Sequence, residues 1–178
     1  MRLFVAITLP EKVKKQLGNL EKPIEGVRWQ DSTQMHLTLR FIGSVDNEIS
    51  EEVQKRLAKI SHQSFKMDIN GLGQFPERGK PRVLWAGVKE QAELMKLQEK
   101  VEEACVNSGL ETEDRDYKPH ITIAKVKNNK ANGAVKLFID EYKNFSLGSI
   151  PVNEFTLFNS KLSKEGAIHI PIEKYKLN

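Results

Sequence analysis

The stretches His36-Leu37-Thr38-Leu39 and His120-Ile121-Thr122-Ile123 repeat one pattern, in which a histidine and a threonine alternate with apolar residues. Successive side chains of an extended strand point to opposite faces of a sheet, so each histidine shares a face with the threonine two positions on. The apolar residues of each copy then point to the other face and anchor the strand in a core. The pattern predicts two strands that each present an imidazole and a hydroxyl side by side.

Two such pairs that face each other supply an acid, a base and two hydroxyl donors, which is the set of groups that phosphate-ester chemistry needs. A single histidine–threonine pair is a weak signal, because an alternating strand often carries a polar outer face by default. The chain has only 4 histidines, however, and two of them carry the pattern. This concentration favours a paired site over a solvated strand face.

The composition is that of an ordinary soluble globular protein, with 39% hydrophobic and 29% charged residues. A length of 178 residues fits one domain or two small intimate lobes. The net charge of +4 is compatible with an anionic ligand, but it is too small to indicate nucleic acid binding by itself. The single cysteine, Cys105, excludes an intrachain disulfide framework, and its place on the apolar side of a predicted helix indicates a buried thiol.

The apolar run 3–7 is too short to span a bilayer and lacks a cleavage pattern, so we interpret it as a buried strand. No other segment approaches membrane length. We therefore expect a cytoplasmic protein without membrane contact, and a monomer by default.

The chain passes twice through one plan of strand, helix, motif strand, helix and strand. The first strands align at an offset of 80 residues, Ala6 with Ala86, and the motif histidines lie 84 residues apart. The polar loop 76–81 separates two halves of roughly 1–75 and 82–150, and C-terminal strands follow over 152–178. We predict a single α+β domain over 1–178 that is bilobal and internally duplicated. A pseudo-twofold axis would place two antiparallel sheets on either side of a central groove, with one motif on each wall.

The segments on either side of the two motifs also resemble those of a known family, and together they cover nearly the whole chain. The segments that carry it are 2–7, 26–29, 36–43, 71–76, 81–87, 119–124 and 157–162. On these residues the chain resembles the two-histidine (2H) phosphoesterase superfamily, and within it the bacterial and archaeal RNA 2′,3′-cyclic phosphodiesterases, also called 2′-5′ RNA ligases.

The resemblance implies that the protein hydrolyses 2′,3′-cyclic phosphate ends of RNA to 2′-phosphomonoesters, without a metal or other cofactor. It makes His36 the proton donor to the leaving 3′-oxygen and His120 the base that activates water; the sequence alone does not distinguish these roles. Thr38 and Thr122 would donate hydrogen bonds to the non-bridging phosphate oxygens. The partners implied are RNA ends or oligonucleotides that carry the cyclic phosphate.

Three further residues are candidates for substrate binding. In a regular strand Arg40 shares the face of His36 and Thr38, so it reaches a phosphate or the backbone, or it is an exposed strand arginine. Lys125 stands where the family commonly has a phosphate-binding arginine, but strict alternation points it away from the site, and contact would require the strand to end or bulge. Lysine also lacks the bidentate fork of an arginine. Tyr117 lies in a polar run and is the best exposed aromatic candidate for stacking on a base.

The other aromatic and histidine residues have simpler interpretations. Trp29 and Phe41 could stack a base, although such side chains beside a strand more often belong to a core. His62 is expected to be a solvated helix end, and His169 a surface or strand-pairing residue.

Several alternatives stay open at this point. The fold could serve a non-catalytic module that binds RNA ends, or the enzyme could act on a small cyclic nucleotide. A metal-dependent phosphohydrolase would need further ligands that neither motif provides. The forward and reverse directions of the reaction share a transition state, so 2′-5′ ligation is possible in principle, and we expect hydrolysis in bulk water.

Overall fold

The computed structural model describes residues 1–178, which form nine strands and four helices. The strands are β1 (Arg2–Thr8), β2 (Val27–Trp29), β3 (His36–Ser44), β4 (Phe65–Phe75), β5 (Val83–Val88), β6 (His120–Val126), β7 (Ser146–Val152), β8 (Glu154–Ser163) and β9 (Gly166–Lys176). The helices are α1 (Glu11–Gly18), α2 (Asn47–Leu57), α3 (Ala92–Asn107) and α4 (Asn132–Glu141). Short 3-10 turns lie at Ser32–Gln34 and Asn129–Ala131.

The strands form two antiparallel sheets with the same internal arrangement. The first sheet has the order β3-β1-β8-β9 and the second sheet the order β2-β6-β5-β4-β7. In the first sheet β1 lies between β3 and β8, and in the second β5 lies between β6 and β4. The motif strands β3 and β6 thus hold equivalent positions, which confirms the predicted α+β, bilobal and duplicated architecture.

The two sheets do not correspond to the two halves of the sequence. Strand β4 belongs to the first half but pairs with β5 and β7 in the second sheet. Strand β8 lies near the C-terminus but pairs with β1 in the first sheet. The loop 76–81 therefore connects two neighbouring strands of one sheet. The first sheet joins strands from both ends of the chain, whereas the second consists of β2 and the consecutive strands β4–β7.

Alternation along β1 separates the core from the site. Leu3, Val5 and Ile7 belong to an apolar core of 34 buried residues. Phe4 and Ala6 point to the opposite face, where they form a separate small cluster with Phe158 of β8. The first sheet thus has one face on the core and one face that carries the motif side chains.

Helices cover the core face of the sheets. Helix α3 packs against α2 and contacts both β3 and β4, and α4 also contacts β4. Asp46 caps the start of α2, because its carboxylate accepts a hydrogen bond from the backbone N–H of Ile49 at 2.9 Å. Cys105 of α3 is buried, and burial raises the pKa of its thiol to about 12. None of the four helices combines the length and apolar character needed to cross a membrane.

Candidate active site

The imidazoles of His36 and His120 are oriented by the same local hydrogen bond. Nδ1 of His36 lies 2.8 Å from the carbonyl oxygen of Gln34, and Nδ1 of His120 lies 2.7 Å from that of Lys118. A carbonyl oxygen only accepts, so Nδ1 donates its hydrogen in both rings and Nε2 keeps a lone pair. The Nε2 of His36 accepts a hydrogen bond from the Thr38 hydroxyl at 3.1 Å.

The two motif strands lie against each other, and we call the surface that they share the groove. His36 and Thr38 occupy one wall of the groove, and His120 and Thr122 occupy the other. The two histidines are close enough for the charge of one to act on the other. The structure thus brings together the four residues that the repeated pattern singled out.

Both imidazoles favour the neutral form in the free protein. The pKa of His36 is lowered to about 4, mainly by burial and in smaller part by the nearby positive charges, while the hydrogen bond to Gln34 acts in the opposite direction. Burial also lowers the pKa of His120. Each ring is therefore ready to accept a proton at Nε2 at neutral pH. A bound phosphate anion raises the pKa of a nearby imidazole and so favours the charged form that a proton donor needs.

A β-bulge interrupts β3 one residue after its threonine. Thr38 lies opposite Ala6 of β1, and Arg40 lies opposite Val5, which leaves Leu39 as the extra residue. Since Ala6 and Val5 are neighbours in a strand, they point to opposite faces. Thr38 and Arg40 therefore also point to opposite faces, although they are two residues apart.

The second motif strand has a bulge at the equivalent place. Thr122 lies opposite Trp85 of β5, and Ala124 lies opposite Leu84, which leaves Ile123 as the extra residue. Ile123 and Ala124 are both fully buried. The repeated unit thus includes the bulge as well as the histidine and the threonine.

The bulge makes the predicted position of Arg40 wrong. The side chain is turned to the core face, where it is 10% exposed and forms an ion pair with Glu102 of α3. A second carboxylate, that of Glu113, lies 3.9 Å away, and the guanidinium also donates to the carbonyl of Glu111. Arg40 thus ties β3 to α3 and to the following loop, and protein groups occupy its donors.

Lys125 is moved in the opposite sense by the second bulge. It lies opposite Val83, which is two residues from Trp85 in an uninterrupted strand. Lys125 therefore shares the face of Thr122, whereas strict alternation had pointed it away. Its side chain is exposed. The position is open to an anionic ligand that follows the groove.

Phe41 is the counterpart of Lys125 on the other wall, three residues after the motif threonine. It lies opposite Phe4, which points away from the core, and the two ring centroids are 6.1 Å apart. Its side chain is 62% exposed. The sequence expectation that Phe41 belongs to a core is wrong, because the bulge shifts it to the groove face.

Tyr117 is partly buried, and its hydroxyl donates to the carbonyl of Thr38 at 2.9 Å. Burial also raises the pKa of this phenol. The structure therefore contradicts the expectation of an exposed stacking residue and makes Tyr117 a brace for the motif strand. Trp29 is a packing residue as expected, with its ring 5.4 Å from that of Phe138.

Sequence reasoning missed His169. The residue pairs with Ser160 of β8, as a strand-pairing residue would, but its ring also lies 5.2 Å from that of His36. No local pattern marks it, since Pro171 takes the place of the motif threonine. Only the return of the C-terminal strand to the first sheet places it at the site.

The prediction that His62 is a solvated helix end is wrong. Its side chain is buried next to Phe65 of β4, and the ring centroids are 5.8 Å apart. Its Nε2 faces the Glu93 carboxylate at 3.5 Å, and its backbone carbonyl accepts a hydrogen bond from Asn178 at 2.9 Å. The C-terminal residues thus cover the end of α2.

No group of three or more histidine, cysteine, aspartate or glutamate side chains is placed to hold a metal ion.

Two equivalent strands that each present an imidazole and a hydroxyl to one groove define a phosphoesterase of the two-histidine class. The family model LigT like Phosphoesterase matches the chain twice, over residues 7–85 and 87–169, and each match contains one motif. The chain belongs to this family.

The chain is also similar over nearly its full length to named proteins and to a crystal structure. The chain is 34% identical to the RNA 2′,3′-cyclic phosphodiesterase of Archaeoglobus fulgidus, over 95% of this chain and 96% of that protein. It is 33% identical to the Thermotoga maritima protein of the same name, over 95% and 91%. The crystal structure of E. coli LigT complexed with 3′-AMP superposes with a TM-score of 0.81 and 26% identity, and covers 99% of this chain and 97% of that one.

Proposed function

We propose that the protein hydrolyses 2′,3′-cyclic phosphate ends of RNA to 2′-phosphomonoesters, and that it needs no metal ion. The observation that carries this proposal is the matched orientation of His36 and His120, whose Nδ1 atoms are both held by backbone carbonyls. In both rings Nε2 is therefore the nitrogen that is available for proton transfer. The names of the relatives support the substrate class.

The reaction needs one proton removed and one proton delivered. Nε2 of His120 takes a proton from water, and the resulting hydroxide attacks phosphorus. The bond from phosphorus to the 3′-oxygen breaks, and Nε2–H of His36 delivers a proton to that oxygen. The phosphate remains on the 2′-oxygen. Once Nε2 of His36 carries a proton it no longer accepts from Thr38, so the hydroxyls of Thr38 and Thr122 both donate hydrogen bonds to the non-bridging oxygens and stabilise the negative charge of the transition state.

The proton donor acquires its charge with the substrate. The low pKa of His36 leaves little imidazolium in the empty groove at neutral pH. The negative charge of a bound cyclic phosphodiester raises that pKa, since an opposite charge nearby favours the protonated ring. Substrate binding thus also favours protonation of His36, the proton donor.

The rest of the substrate is bound along the groove walls. Phe41 offers an exposed aromatic face for a base, and Lys125 offers a positive charge for a backbone phosphate. We further propose that the protein acts as a monomer in the cytoplasm, which suits its single buried cysteine.

The test is release of 2′-phosphomonoester from a short RNA with a 2′,3′-cyclic phosphate end, in excess EDTA. We expect turnover by the wild type and a loss of about 10²- to 10⁴-fold in kcat for His36→Ala and for His120→Ala. His62→Gln, which changes a histidine outside the groove, is the matched control and should keep the wild-type kcat. Activity that returns only with added metal would contradict the metal-free mechanism. An inert wild type that still binds the RNA end would favour the binding module.

A small cyclic nucleotide is the second candidate substrate, because the related E. coli LigT was crystallised with 3′-AMP. Comparison of kcat/KM for 2′,3′-cyclic AMP and for a cyclic-phosphate octanucleotide decides between the two. A higher value for the octanucleotide supports RNA, and equal values support the nucleotide. Ligation is tested separately, by incubation of an RNA with a cyclic-phosphate end and an RNA with a free 5′-hydroxyl. In that reaction the 5′-oxygen attacks phosphorus in place of water, the 3′-oxygen leaves, and the product to be measured is a 2′-5′ phosphodiester.

A further inference from the structure

Each groove histidine has an aromatic partner that meets it at a right angle. The ring of His120 lies 4.8 Å from that of Phe75 of β4, with an interplanar angle of 89°. The ring of His36 lies 5.2 Å from that of His169 of β9, also at 89°. Perpendicular aromatic contacts at this distance are favourable and directional. Both walls of the groove thus contain the same perpendicular ring contact, made by Phe75 on one wall and by His169 on the other.

His169 is connected to His36 by a second route through the backbone. The backbone N–H of His169 donates to Oε1 of Gln34 at 3.2 Å. The carbonyl oxygen of the same Gln34 accepts the Nδ1 hydrogen bond of His36. Phe4 fills the space below both rings, with its centroid 4.9 Å from that of His36 and 4.8 Å from that of His169. Strand β9 therefore holds both the ring of His36 and the residue that sets its tautomer.

The ring of His169 behaves as an aromatic surface at this place. Its Nδ1 is buried and has no hydrogen-bond partner. A buried N–H without an acceptor is rare and costly, so the hydrogen of the neutral ring resides on Nε2. Burial also lowers the pKa of His169, which keeps the ring uncharged at neutral pH. The role of the ring is thus comparable to that of Phe75.

We propose that His169 is a positioning residue for His36, and that it acts by packing its ring edge to face against the imidazole rather than by transferring a proton. The inference rests on the proposed function, because it assigns the orientation of the proton donor to β9. Loss of the ring would let the His36 imidazole rotate out of line with the leaving oxygen. Misplacement of a reacting group by about 1 Å can cost on the order of 10²-fold in rate.

The variants His169→Ala and His169→Phe separate packing from proton transfer. For His169→Ala we expect kcat to fall about 10- to 100-fold while KM changes less than about threefold, because the chemical step and not binding is affected. For His169→Phe we expect kcat within about threefold of the wild type, since the first wall then resembles the second. The control Ile170→Ala changes the next residue of the strand, which is 40% exposed, and should leave kcat unchanged.

Nitrogen-15 NMR of the histidine rings gives a readout that does not depend on turnover. The His36 ring should show a pure Nδ1–H tautomer in the wild type and in His169→Phe, and mixed tautomers in His169→Ala. Wild-type kcat in His169→Ala would overturn the positioning role, as would a defect in His169→Phe as large as that in His169→Ala. A wild type that is inert on the cyclic-phosphate RNA would instead contradict the proposed function, while the NMR comparison would still test the positioning.

Discussion

At the scale of single residues, the two walls of the groove are equivalent in position but different in chemistry. Phe41 and Lys125 both follow a motif threonine by three residues, and both reach the groove because a bulge precedes them. One supplies an aromatic face and the other a positive charge. A nucleotide has one base and one phosphate to offer, so we propose that this difference gives the substrate a defined direction along the groove.

Replacement of Phe41 tests the aromatic wall. For Phe41→Ala we expect KM to rise about 5- to 100-fold with a smaller change in kcat, because stacking on one base contributes about 1–3 kcal/mol. Phe41→Trp should keep the wild-type KM. Steady-state kinetics on the cyclic-phosphate RNA gives both numbers. Leu137→Ala, which changes an exposed apolar residue of α4 outside the groove, is the control. An unchanged KM in Phe41→Ala would exclude stacking at this position.

At the scale of elements, the bulges explain what the sequence could and could not predict. The histidine and threonine positions follow from alternation, and so do Leu37 and Ile121 in the core. The positions of Arg40 and Lys125 do not, since an extra residue in a strand leaves no clear mark in its sequence. The place of His169 depends on which sheet its strand joins, and local periodicity carries no information on that pairing.

Replacement of Arg40 tests whether this side chain stabilises the contact between β3 and α3. Its partner Glu102 is only 19% exposed, so removal of the guanidinium leaves a carboxylate that water reaches poorly. For Arg40→Met we expect a loss of about 2 kcal/mol in the free energy of unfolding, measured by urea denaturation. Affinity for the RNA end should stay within about twofold, in contrast to a phosphate-binding arginine.

The matched control for that variant is Arg56→Met. Arg56 pairs with Glu52 one turn away on α2, and both side chains are more than a third exposed. Such a pair contributes about 0.5 kcal/mol or less. Equal losses in the two variants would contradict the bracing role of Arg40.

At the scale of the whole molecule, the fold favours the neutral form of its histidines, of which His62 is buried and the other three are half-buried. Burial lowers the pKa of His36 from its ordinary value of 6.5 to about 4, and it also lowers the pKa values of His62, His120 and His169. All 4 histidines of the chain are therefore harder to protonate in the folded protein than in the unfolded chain.

The stability of the protein should consequently depend on pH in the acid range. Because the unfolded chain binds protons first, the free energy of unfolding should be highest above pH 6.5 and fall as the pH decreases toward about 4. Urea midpoints measured between pH 7.5 and 5, roughly the range where histidines dominate the titration, check this. His36→Asn should show a shallower decline than the wild type. A flat profile over that interval would contradict the buried neutral state.

The exchange of β4 and β8 between the sheets has a consequence for synthesis on the ribosome. Strand β1 emerges early, yet its partner β8 begins at Glu154. Domains fold as their chain becomes available during translation, and pairings between distant segments form late. A nascent chain that has already exposed both histidine motifs still lacks one flank of its first sheet. The sheet that carries His36 is therefore complete only after β8 has left the ribosome.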